Sequence, residues 1–464
     1  MSAETPSATG VERPAVVTEG ARPEWLAWLE SVRLDALLML VLFTAAIIPR
    51  AAWTAYTDRA PQGLNDPLYY NLASDLIAQG KGYTRFTGES FAYYPVGYPA
   101  TLGALKKAGD FTGWGNSVFS AKMMNGMFGA ITVLLLYLLA SRIFERRVAV
   151  ASGLLLAIFP SQVYYAGTIL SEAEFTMLFV AALLVLAWHP WSRNGMSWRR
   201  LFISGVLLSA ATMVRGILLV FPFILLLLWL PYLHSKRRAL LQASIVFAGV
   251  LVFVVPWSVR NSIVFGEITG PSTNLGDDLC IGNAIGASGH FRFVDRCFES
   301  PEEEGKTFQE VEIFRSRHGV TTAIKDVFNS PGRMRQLIGQ KAYWLFFRDD
   351  DGIAAAQSYG NDPFIHAYLG EVLSFAADAI YYATGSVAVL GAFWFTLGRD
   401  IRRAFIMFTL VYLFLIPLVF FGDPRFHFPA IPLLVLVATS TMIAIWDRRN
   451  RALPALEGID ASAR

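Results

Sequence analysis

The chain has 464 residues, of which 54% are hydrophobic and only 16% are charged, and its formal net charge is +3. A soluble globular protein carries about a quarter charged residues, so this composition excludes an ordinary soluble domain and predicts a polytopic membrane protein. A charge of +3 indicates no partner by itself. The sequence has neither a nucleotide-binding motif nor a basic, aromatic-interleaved stretch for a nucleic acid.

The N-terminal residues 1–32 are predicted to be a disordered cytoplasmic tail, because their first part is rich in Pro, Glu, Ala, Thr and Ser and lacks an apolar run. Beyond them, several apolar segments approach or exceed the ~20 residues that cross a bilayer as a helix. The predicted spans are residues 34–56, 119–140, 148–165, 171–189, 201–214, 217–232, 239–257, 375–397, 404–421 and 427–446. Only Arg215 and Gly216 separate the fifth span from the sixth, so that pair is either a hairpin or one broken helix.

Basic residues predict the orientation of these spans, since Lys and Arg concentrate in short cytoplasmic loops. The short connections near 166–170 and 422–424 contain no Lys or Arg and are therefore placed outside. We predict a multi-pass protein of the plasma (inner) membrane with both termini cytoplasmic, the C-terminal tail being residues 447–464. The clusters that then face the cytoplasm are Arg142/Arg146/Arg147, Arg193/Arg199/Arg200, Lys236/Arg237/Arg238, Arg399/Arg402/Arg403 and Arg448/Arg449/Arg451.

This orientation leaves two long segments on the exoplasmic side. Residues 57–118 lie within a transmembrane core at 33–257, and residues 258–374 precede a C-terminal transmembrane part at 375–446. In the first segment, Leu68-Leu72-Leu76 recur at helical spacing and predict an amphipathic helix at the membrane interface. In the second, stretch 331–348 is predicted to lie on the membrane surface or to form a further partial span.

Both cysteines of the chain, Cys280 and Cys297, lie in the second exoplasmic segment. An oxidising compartment permits a disulfide between them, and two unpaired thiols are the alternative. The sequence contains no CxxC pair and no Cys/His cluster, so no structural zinc site is predicted.

Two acidic residues on the predicted outer side are candidates for chemistry. Asp66 directly precedes Pro67, so it is either the N-cap of a helix or a functional carboxylate. Ser171 and Glu174 fit a capping box at the start of the fourth span. Glu172 is left unexplained, because a carboxylate at the edge of a membrane helix is costly without a cavity or a partner.

Several basic residues are predicted on the same side of the membrane. Each could extend to the surface or pair with Asp66 or Glu172. Together, carboxylates and basic groups at one surface suit an anionic phosphate held by Arg or Lys and a hydroxyl activated by a carboxylate. These basic residues are Lys122, Arg215, Arg260, Arg425 and, near the outer end of the first span, Arg50.

A series of short motifs carries a resemblance to a known family. They are Asp66-Pro-Leu-Tyr-Tyr-Asn-Leu-Ala, Gly80-Lys-Gly-Tyr83, Tyr94-Pro-Val-Gly-Tyr-Pro99, Leu170-Ser-Glu172, Val214-Arg215, Pro256-Trp-Ser-Val-Arg260-Asn261, the stretch 275–283 and Pro424-Arg425-Phe-His-Phe-Pro429. In order and sidedness they resemble GT-C glycosyltransferases, more narrowly family-39 protein mannosyltransferase-like enzymes, lipid A aminoarabinose transferases and Rgt-type lipopolysaccharide core transferases. The resemblance spans residues 34–446. Many relatives carry Asp-Glu where this chain has Asp66-Pro67, so a second acid beside the first is missing here.

The resemblance implies an all-α, GT-C-like bundle of about ten and up to twelve transmembrane helices, with outer loops that carry interfacial helices. It implies a polyprenyl-phosphate-linked sugar as donor, a lipid, glycan or protein acceptor, and an inverting single displacement. Asp66 would be the base. Glu172 would orient the acceptor or bind a divalent cation, and the resemblance leaves the need for that cation open. No other cofactor or metal is predicted. Lys122, Arg215, Arg260 and Arg425 would hold the phosphate, and Arg50 could simply anchor the first span.

Three other functions fit some of the same residues. A transporter or flippase also lines a path with buried Arg and carboxylates, but the one-sided charges, the long outer segments and the lack of evident inverted repeats disfavour it. An O-antigen ligase or polymerase would depend on an Arg of the large outer segment instead of Asp66. In a structural membrane subunit, Asp66 would be only a helix cap.

Overall fold

A computed structural model of the chain describes residues 24–113, 117–298, 301–396 and 400–461. Those residues are almost entirely helical and contain only two isolated β-bridges, which confirms the predicted all-α class. The described residues belong to two units, which divide between Val41 and Leu42. The described part of the first unit is helical, and all the site residues considered below belong to the second unit.

The α-helices begin and end at the following residues. They are α1 (Glu24–Tyr56), α2 (Asp66–Ala78), α3 (Gly97–Thr112), α4 (Val118–Ile143), α5 (Arg146–Ala157), α6 (Pro160–Tyr164), α7 (Glu172–Ala187), α8 (Trp198–Val214), α9 (Phe221–Tyr232), α10 (Lys236–Phe265), α11 (Leu275–Asn283), α12 (Asp295–Phe298), α13 (Phe308–Asn329), α14 (Pro331–Phe346), α15 (Asp351–Ala356), α16 (Ala367–Thr396), α17 (Ile401–Val419) and α18 (Ile431–Ala461). Short 3-10 helices lie at Tyr165–Gly167, Gly216–Val220, Pro301–Glu303, Ser358–Gly360 and Pro424–Ala430.

Six of these helices are long and apolar enough to cross a membrane, and a bent pair, α5 with α6, makes a seventh candidate. The six candidates lie in α1, α4, α10, α16, α17 and the segment Pro424–Asn450. Two further predicted spans correspond to the shorter helices α7, with 16 residues, and α8, with 17. A multi-pass membrane protein is therefore supported, while the number of ten spans stays a prediction.

The third predicted span, 148–165, is wrong as a single straight helix. The chain bends by 56° between α5 and α6, because proline disfavours the helical conformation in the residue before it and cannot donate a backbone hydrogen bond. Phe159, which precedes Pro160, is extended (φ −63°, ψ 122°). The interruption expected at Arg215 and Gly216 is present: α8 ends at Val214, and Arg215 is extended (φ −146°, ψ 121°) before the next 3-10 helix.

Several helices extend beyond the boundaries predicted from hydropathy. Helix α1 begins at Glu24, inside the predicted tail 1–32, of which residues 1–23 lie outside the described residues. Helix α10 continues to Phe265, so Arg260 lies on a helix and not in the following loop. The predicted C-terminal tail also begins within a helix, since α18 extends to Ala461.

The two predicted exoplasmic segments contain helices that pack on one another. Helix α2 is the expected amphipathic helix, and its packing against α3 is close enough that a Cβ on Gly103 would meet Ile77 at 2.9 Å. Helices α11 and α13 approach through backbone, since a Cβ on Gly319 would lie 2.3 Å from the Gly276 oxygen. Stretch 331–348 is mostly the helix α14.

A disulfide joins Cys280, on α11, to Cys297, on α12. Both cysteines are buried, together with Ala284 and Val294. The bridge therefore closes the turn between the two helices over a small apolar cluster of its own.

Two basic residues of the predicted cytoplasmic clusters bind backbone carbonyls at the C-terminal end of α7. Arg402, at the start of α17, donates from Nη1 to the Ala187 oxygen at 2.9 Å, and Arg200 donates from Nε to the Val185 oxygen at 2.9 Å. Both carbonyls lie in the last turn of α7, where a positive charge is favoured. Glu172 begins the same helix at its opposite end.

We expect Gly249→Leu to lower the thermal unfolding temperature of the purified protein. Helices α8 and α10 cross through Gly205 and Gly249, and a Cβ on Gly249 would lie 2.7 Å from the Gly205 Cα. Overpacking of this kind costs ~1–3 kcal/mol. The matched control is Gly385→Leu in α16, where a Cβ meets nothing within 4 Å. Equal unfolding temperatures for the two variants would contradict this packing.

We also expect neither thiol of the protein to react with maleimide under denaturing conditions until a reductant is added. Cys280 and Cys297 are bonded to each other, so reduction should expose two reactive groups per chain. The Cys280→Ala variant provides the control, because its single remaining thiol should be labelled without reduction. Two labelled thiols in the unreduced wild type would rule the bridge out.

Candidate active site

Four charged side chains from distant parts of the sequence meet in two ion pairs. Nη1 of Arg425 donates to Oδ2 of Asp66 at 2.6 Å, and Nη1 of Arg215 donates to Oε1 of Glu172. Asp66 and Glu172 are the first residues of α2 and α7, Arg215 follows the end of α8, and Arg425 lies in the 3-10 helix before α18. We call Asp66, Glu172, Arg215 and Arg425 the charge cluster.

Asp66 is not the helix cap that its position before proline predicted. The N-cap of α2 is Asn65, whose side-chain oxygen accepts a hydrogen bond from the Leu68 amide. Because Asn65 takes that role, both carboxylate oxygens of Asp66 bind side chains: Oδ2 accepts from Arg425, and Oδ1 accepts from the Tyr94 hydroxyl at 2.6 Å.

The predicted capping box at the start of α7 is also wrong. Ser171 has helical backbone angles and makes no capping hydrogen bond. Glu174 instead accepts a hydrogen bond from the Thr101 hydroxyl at 2.7 Å, which ties α7 to α3. Glu172, the acid left unexplained by the capping pattern, is 1% exposed and holds Arg215.

The two guanidinium groups lie on one aromatic ring. The Cζ atoms of Arg215 and Arg425 are 5.5 Å and 5.4 Å from the centre of the Phe426 ring, which favours positive charge at its face. Asp423 fixes the backbone beside them, since its side chain accepts from the Arg425 amide at 3.0 Å. Nε of Arg425 is buried and has no hydrogen-bond partner among the described residues. The cluster thus offers an anion two neighbouring guanidiniums.

Asp66 is held in its ionised form. Burial by itself raises the pKa of this carboxyl, but the charge of Arg425, the Tyr94 hydroxyl and the charge of Arg215 together outweigh burial and lower the pKa below its usual value. While these pairs persist, Asp66 is a stable carboxylate and a weak proton acceptor.

Two further carboxyls near the cluster were missed in the sequence. Burial and the neighbouring Asp277 raise the pKa of Asp278 to about 7, and burial and the neighbouring Asp423 raise that of Asp351 to about 7. The available signal was the pairing of acids in the second exoplasmic segment, in Asp277-Asp278 and in the run that ends at Asp351. Adjacent acids alone do not indicate which carboxyl is buried.

The other predicted phosphate ligands lie apart from the charge cluster. The Lys122 ammonium, 3% exposed, donates to the Thr57 carbonyl. Arg260 donates to the carbonyls of Phe91 at 3.2 Å and Tyr83 at 3.1 Å. These two basic groups are thus already bound to backbone.

Arg50 supports the broken helix α5. It is fully buried, and Nη1 donates to the Ala157 oxygen at 2.7 Å, one of the carbonyls left without a helical partner by the break before Pro160. Its role in the described structure is therefore that of a helix C-cap.

A metal site was left open by the sequence. Within the described ranges, no three His, Cys, Asp or Glu side chains are grouped so that they could hold an ion. The divalent cation therefore stays an untested prediction.

Comparison with known proteins gives one family match in sequence and several matches in fold. Residues 112–260 match the family model described as dolichyl-phosphate-mannose-protein mannosyltransferase. No curated protein of similar sequence was found. The family match covers the segment that contains Lys122, Glu172, Arg215 and Arg260, but not Asp66 or Arg425.

Among solved structures, the chain is similar to the archaeal oligosaccharyltransferase AglB from Archaeoglobus fulgidus, in complex with an inhibitory peptide and a dolichol-phosphate. The TM-score is 0.52 at 15% identity, over 90% of this chain and 52% of that one. A second structure of the Archaeoglobus fulgidus enzyme, tethered to an acceptor peptide, gives a TM-score of 0.51 at 15% identity, over 88% and 50%. The structure of ArnT from Cupriavidus metallidurans in the apo state gives a TM-score of 0.41 at 15% identity, over 89% of this chain and 77% of that one.

The chain thus spans about half the length of the archaeal oligosaccharyltransferase, with 52% of it covered. At this identity the match establishes a common fold and no more. The predicted resemblance to the GT-C glycosyltransferases is therefore confirmed as a resemblance: residues 112–260 match a mannosyltransferase family model, and 90% of the chain shares the fold of the archaeal oligosaccharyltransferase.

Proposed function

We propose that the protein transfers a sugar from a polyprenyl-phosphate donor to an acceptor hydroxyl by an inverting single displacement. The observation that carries the proposal is the ion pair of Asp66 with Arg425, at 2.6 Å, beside that of Glu172 with Arg215. A carboxylate next to two guanidiniums combines a proton acceptor with a site for a leaving phosphate. The acceptor is a glycolipid, a cell-surface glycan or a protein.

The donor phosphate binds to Arg215 and Arg425. Their guanidiniums lie on the same ring, their side chains are each 19% exposed, and one buried N–H of Arg425 is unused in the described structure. Guanidinium groups bind phosphate oxygens through charge-assisted, often bidentate hydrogen bonds. Lys122 and Arg260, predicted for the same role, already donate to backbone carbonyls, so we assign the phosphate to the two cluster arginines.

Asp66 accepts the proton once the donor is bound. The phosphate draws Arg425 away from Asp66, and the pKa of the carboxyl rises because Arg425 is the charge that lowers it most. The acceptor oxygen then bonds to the anomeric carbon as the bond from that carbon to the phosphate oxygen breaks. The hydroxyl proton passes to Asp66, and polyprenyl phosphate leaves with the electron pair, stabilised by the guanidiniums.

Glu172 keeps Arg215 in place through this step. The carboxylate is 1% exposed, and its Oε2 has no hydrogen-bond partner among the described residues. Removal of the charge would leave Arg215 unpaired at a partly buried position, which is costly. We therefore assign Glu172 the positioning of the phosphate site, with the orientation of the acceptor as its further predicted role.

The charge cluster is proposed to face the exoplasm of the plasma (inner) membrane, with both termini in the cytoplasm. Glu172 begins α7, and the other end of that helix receives Arg200 and Arg402, which belong to the basic clusters predicted to be cytoplasmic. Basic residues at one end and the charge cluster at the other follow the positive-inside rule.

Asp66→Asn should abolish transfer of sugar from a polyprenyl-phosphate donor, because a positioned base contributes ~10²–10⁴ in rate. The matched control is Asp75→Asn on the same helix, whose carboxylate pairs with Lys106 at 2.7 Å away from the cluster. Transfer is measured in proteoliposomes with radiolabelled donor, and circular dichroism verifies that both variants fold. Wild-type transfer by Asp66→Asn would remove Asp66 from the reaction, whereas transbilayer movement of the donor without product would favour a flippase.

Arg425→Gln should raise the pKa of Asp66, because the charge of Arg425 is the strongest interaction that lowers it. The carboxyl is followed by infrared difference spectroscopy across a pH titration, and its band is assigned by its loss in Asp66→Asn. Arg59→Gln is the control, since Arg59 pairs with Asp362 at 2.6 Å. An unchanged titration of Asp66 in Arg425→Gln would show that the ion pair does not set its charge.

A further inference from the structure

A groove of about 330 Å³ opens beside the charge cluster, between the end of α14, the start of α15 and the segment before the last 3-10 helix. Its volume lies at the lower end of the ~300–1,000 Å³ of small-molecule sites. Aromatic rings and carboxyl groups both line it. The lining residues that matter here are His290, Trp344, Phe347, Asp350, Asp351 and Asp423.

The aromatic part of the groove lining consists of rings that pack on one another. The rings of His290 and Trp344 stack with their centres 4.5 Å apart and their planes 15° apart, and Phe347 meets Trp344 edge-on at 5.6 Å. The Ser288 hydroxyl is 2.7 Å from Nδ1 of His290, which holds that ring. These contacts fix the orientation of the Trp344 ring at the groove.

Part of the acidic lining is held next to α14, because the backbone at Gly422 approaches that helix closely. A Cβ on Gly422 would lie 2.0 Å from the Lys341 oxygen, so only glycine lets the following residue, Asp423, reach the groove. Asp351 is fixed separately, because the Tyr165 hydroxyl donates to its Oδ2 at 2.8 Å. Burial raises the pKa of both carboxyls, and the charge of Asp423 raises that of Asp351 further, to about 7. Asp351 can therefore either accept or donate a hydrogen bond near neutral pH.

We propose that this groove binds a pyranose ring of one of the two substrates. A pyranose presents C–H groups on its face, which suit the aromatic rings, and hydroxyl donors at its edge, which suit carboxylates. A lipid chain fits poorly, because it would desolvate three carboxyl groups without replacing their hydrogen bonds. An anionic ligand fits poorly as well, since Asp350, Asp351 and Asp423 outnumber the single guanidinium of Arg348 at the rim.

The groove adjoins the proposed phosphate site through Asp423. Asp423 lines the groove and also accepts from the Arg425 amide at 3.0 Å, with its Oδ1 3.9 Å from Nε of the same arginine. A ring in the groove therefore lies next to the phosphate. The assignment of the ring to a substrate rests on the proposed function, whereas the binding of a pyranose in the groove is independent of it.

The binding test uses methyl α-mannopyranoside, methyl β-glucopyranoside and methyl β-galactopyranoside with the full-length protein in nanodiscs, because glycoside detergents would compete. Saturation-transfer NMR should detect at least one of the three with wild type, a loss of at least fivefold in signal with Trp344→Ala, and a smaller loss with Trp344→Phe. Trp198→Ala is the matched control, since Trp198 is 61% exposed on another helix. Asp351→Asn gives a second variant, with an expected weakening of binding, should Trp344→Ala not fold.

Binding of none of the three pyranosides by wild type, or equal binding by wild type and both folded groove variants, would overturn the proposal. In the transfer assay, Trp344→Phe distinguishes the source of the ring: a raised KM for the donor assigns the donor sugar, and a raised KM for the acceptor assigns the acceptor. Unchanged KM values for both would show that the ring is not a substrate. Asp66→Asn should bind the pyranosides like wild type, so loss of the proposed function and loss of the groove are separate results.

Discussion

The ion pair between Asp66 and Arg425 joins residues 359 positions apart in the sequence. It holds the first helix after α1 against the segment that leads into the last membrane helix. Partly buried pairs of this kind contribute little net stability, because desolvation offsets the attraction between the charges. This ion pair therefore serves mainly to fix the positions of its two charges. The neighbouring pair of Glu172 with Arg215 serves the same purpose.

The charge cluster depends on interruptions in the helical bundle. Arg215 reaches Glu172 because α8 ends at Val214, and Arg425 reaches Asp66 from a 3-10 helix and not from a regular α-helix. In a bilayer each interruption frees backbone groups that must find partners. Arg50 meets that requirement at the break after α5, where it donates to the Ala157 carbonyl. Buried arginine thus has two uses here, one structural and one in the charge cluster.

Much of this could be predicted from the sequence, because hydropathy and the distribution of Lys and Arg are one-dimensional signals. They indicated the all-α class and a set of outer-side residues that includes the four of the charge cluster. The N-cap role considered for Asp66 and the capping box predicted at Ser171 are both wrong. In α2 the neighbouring Asn65 is the N-cap, because its side chain accepts the hydrogen bond from the backbone amide. The predicted side of the membrane could not distinguish the role of Arg425 from that of Lys122, because only the packed structure reveals that Lys122 donates to a carbonyl.

Competition for Arg425 between Asp66 and the donor phosphate is the central claim, and binding of a polyprenyl phosphate to inactive variants tests it most directly. If the two anions compete, Asp66→Asn should bind the lipid phosphate severalfold more tightly than wild type, where tenfold corresponds to about 1.4 kcal/mol. Arg425→Gln should bind it more weakly, and adding Asp66→Asn to that variant should restore nothing. Equal or weaker binding by Asp66→Asn would contradict the account.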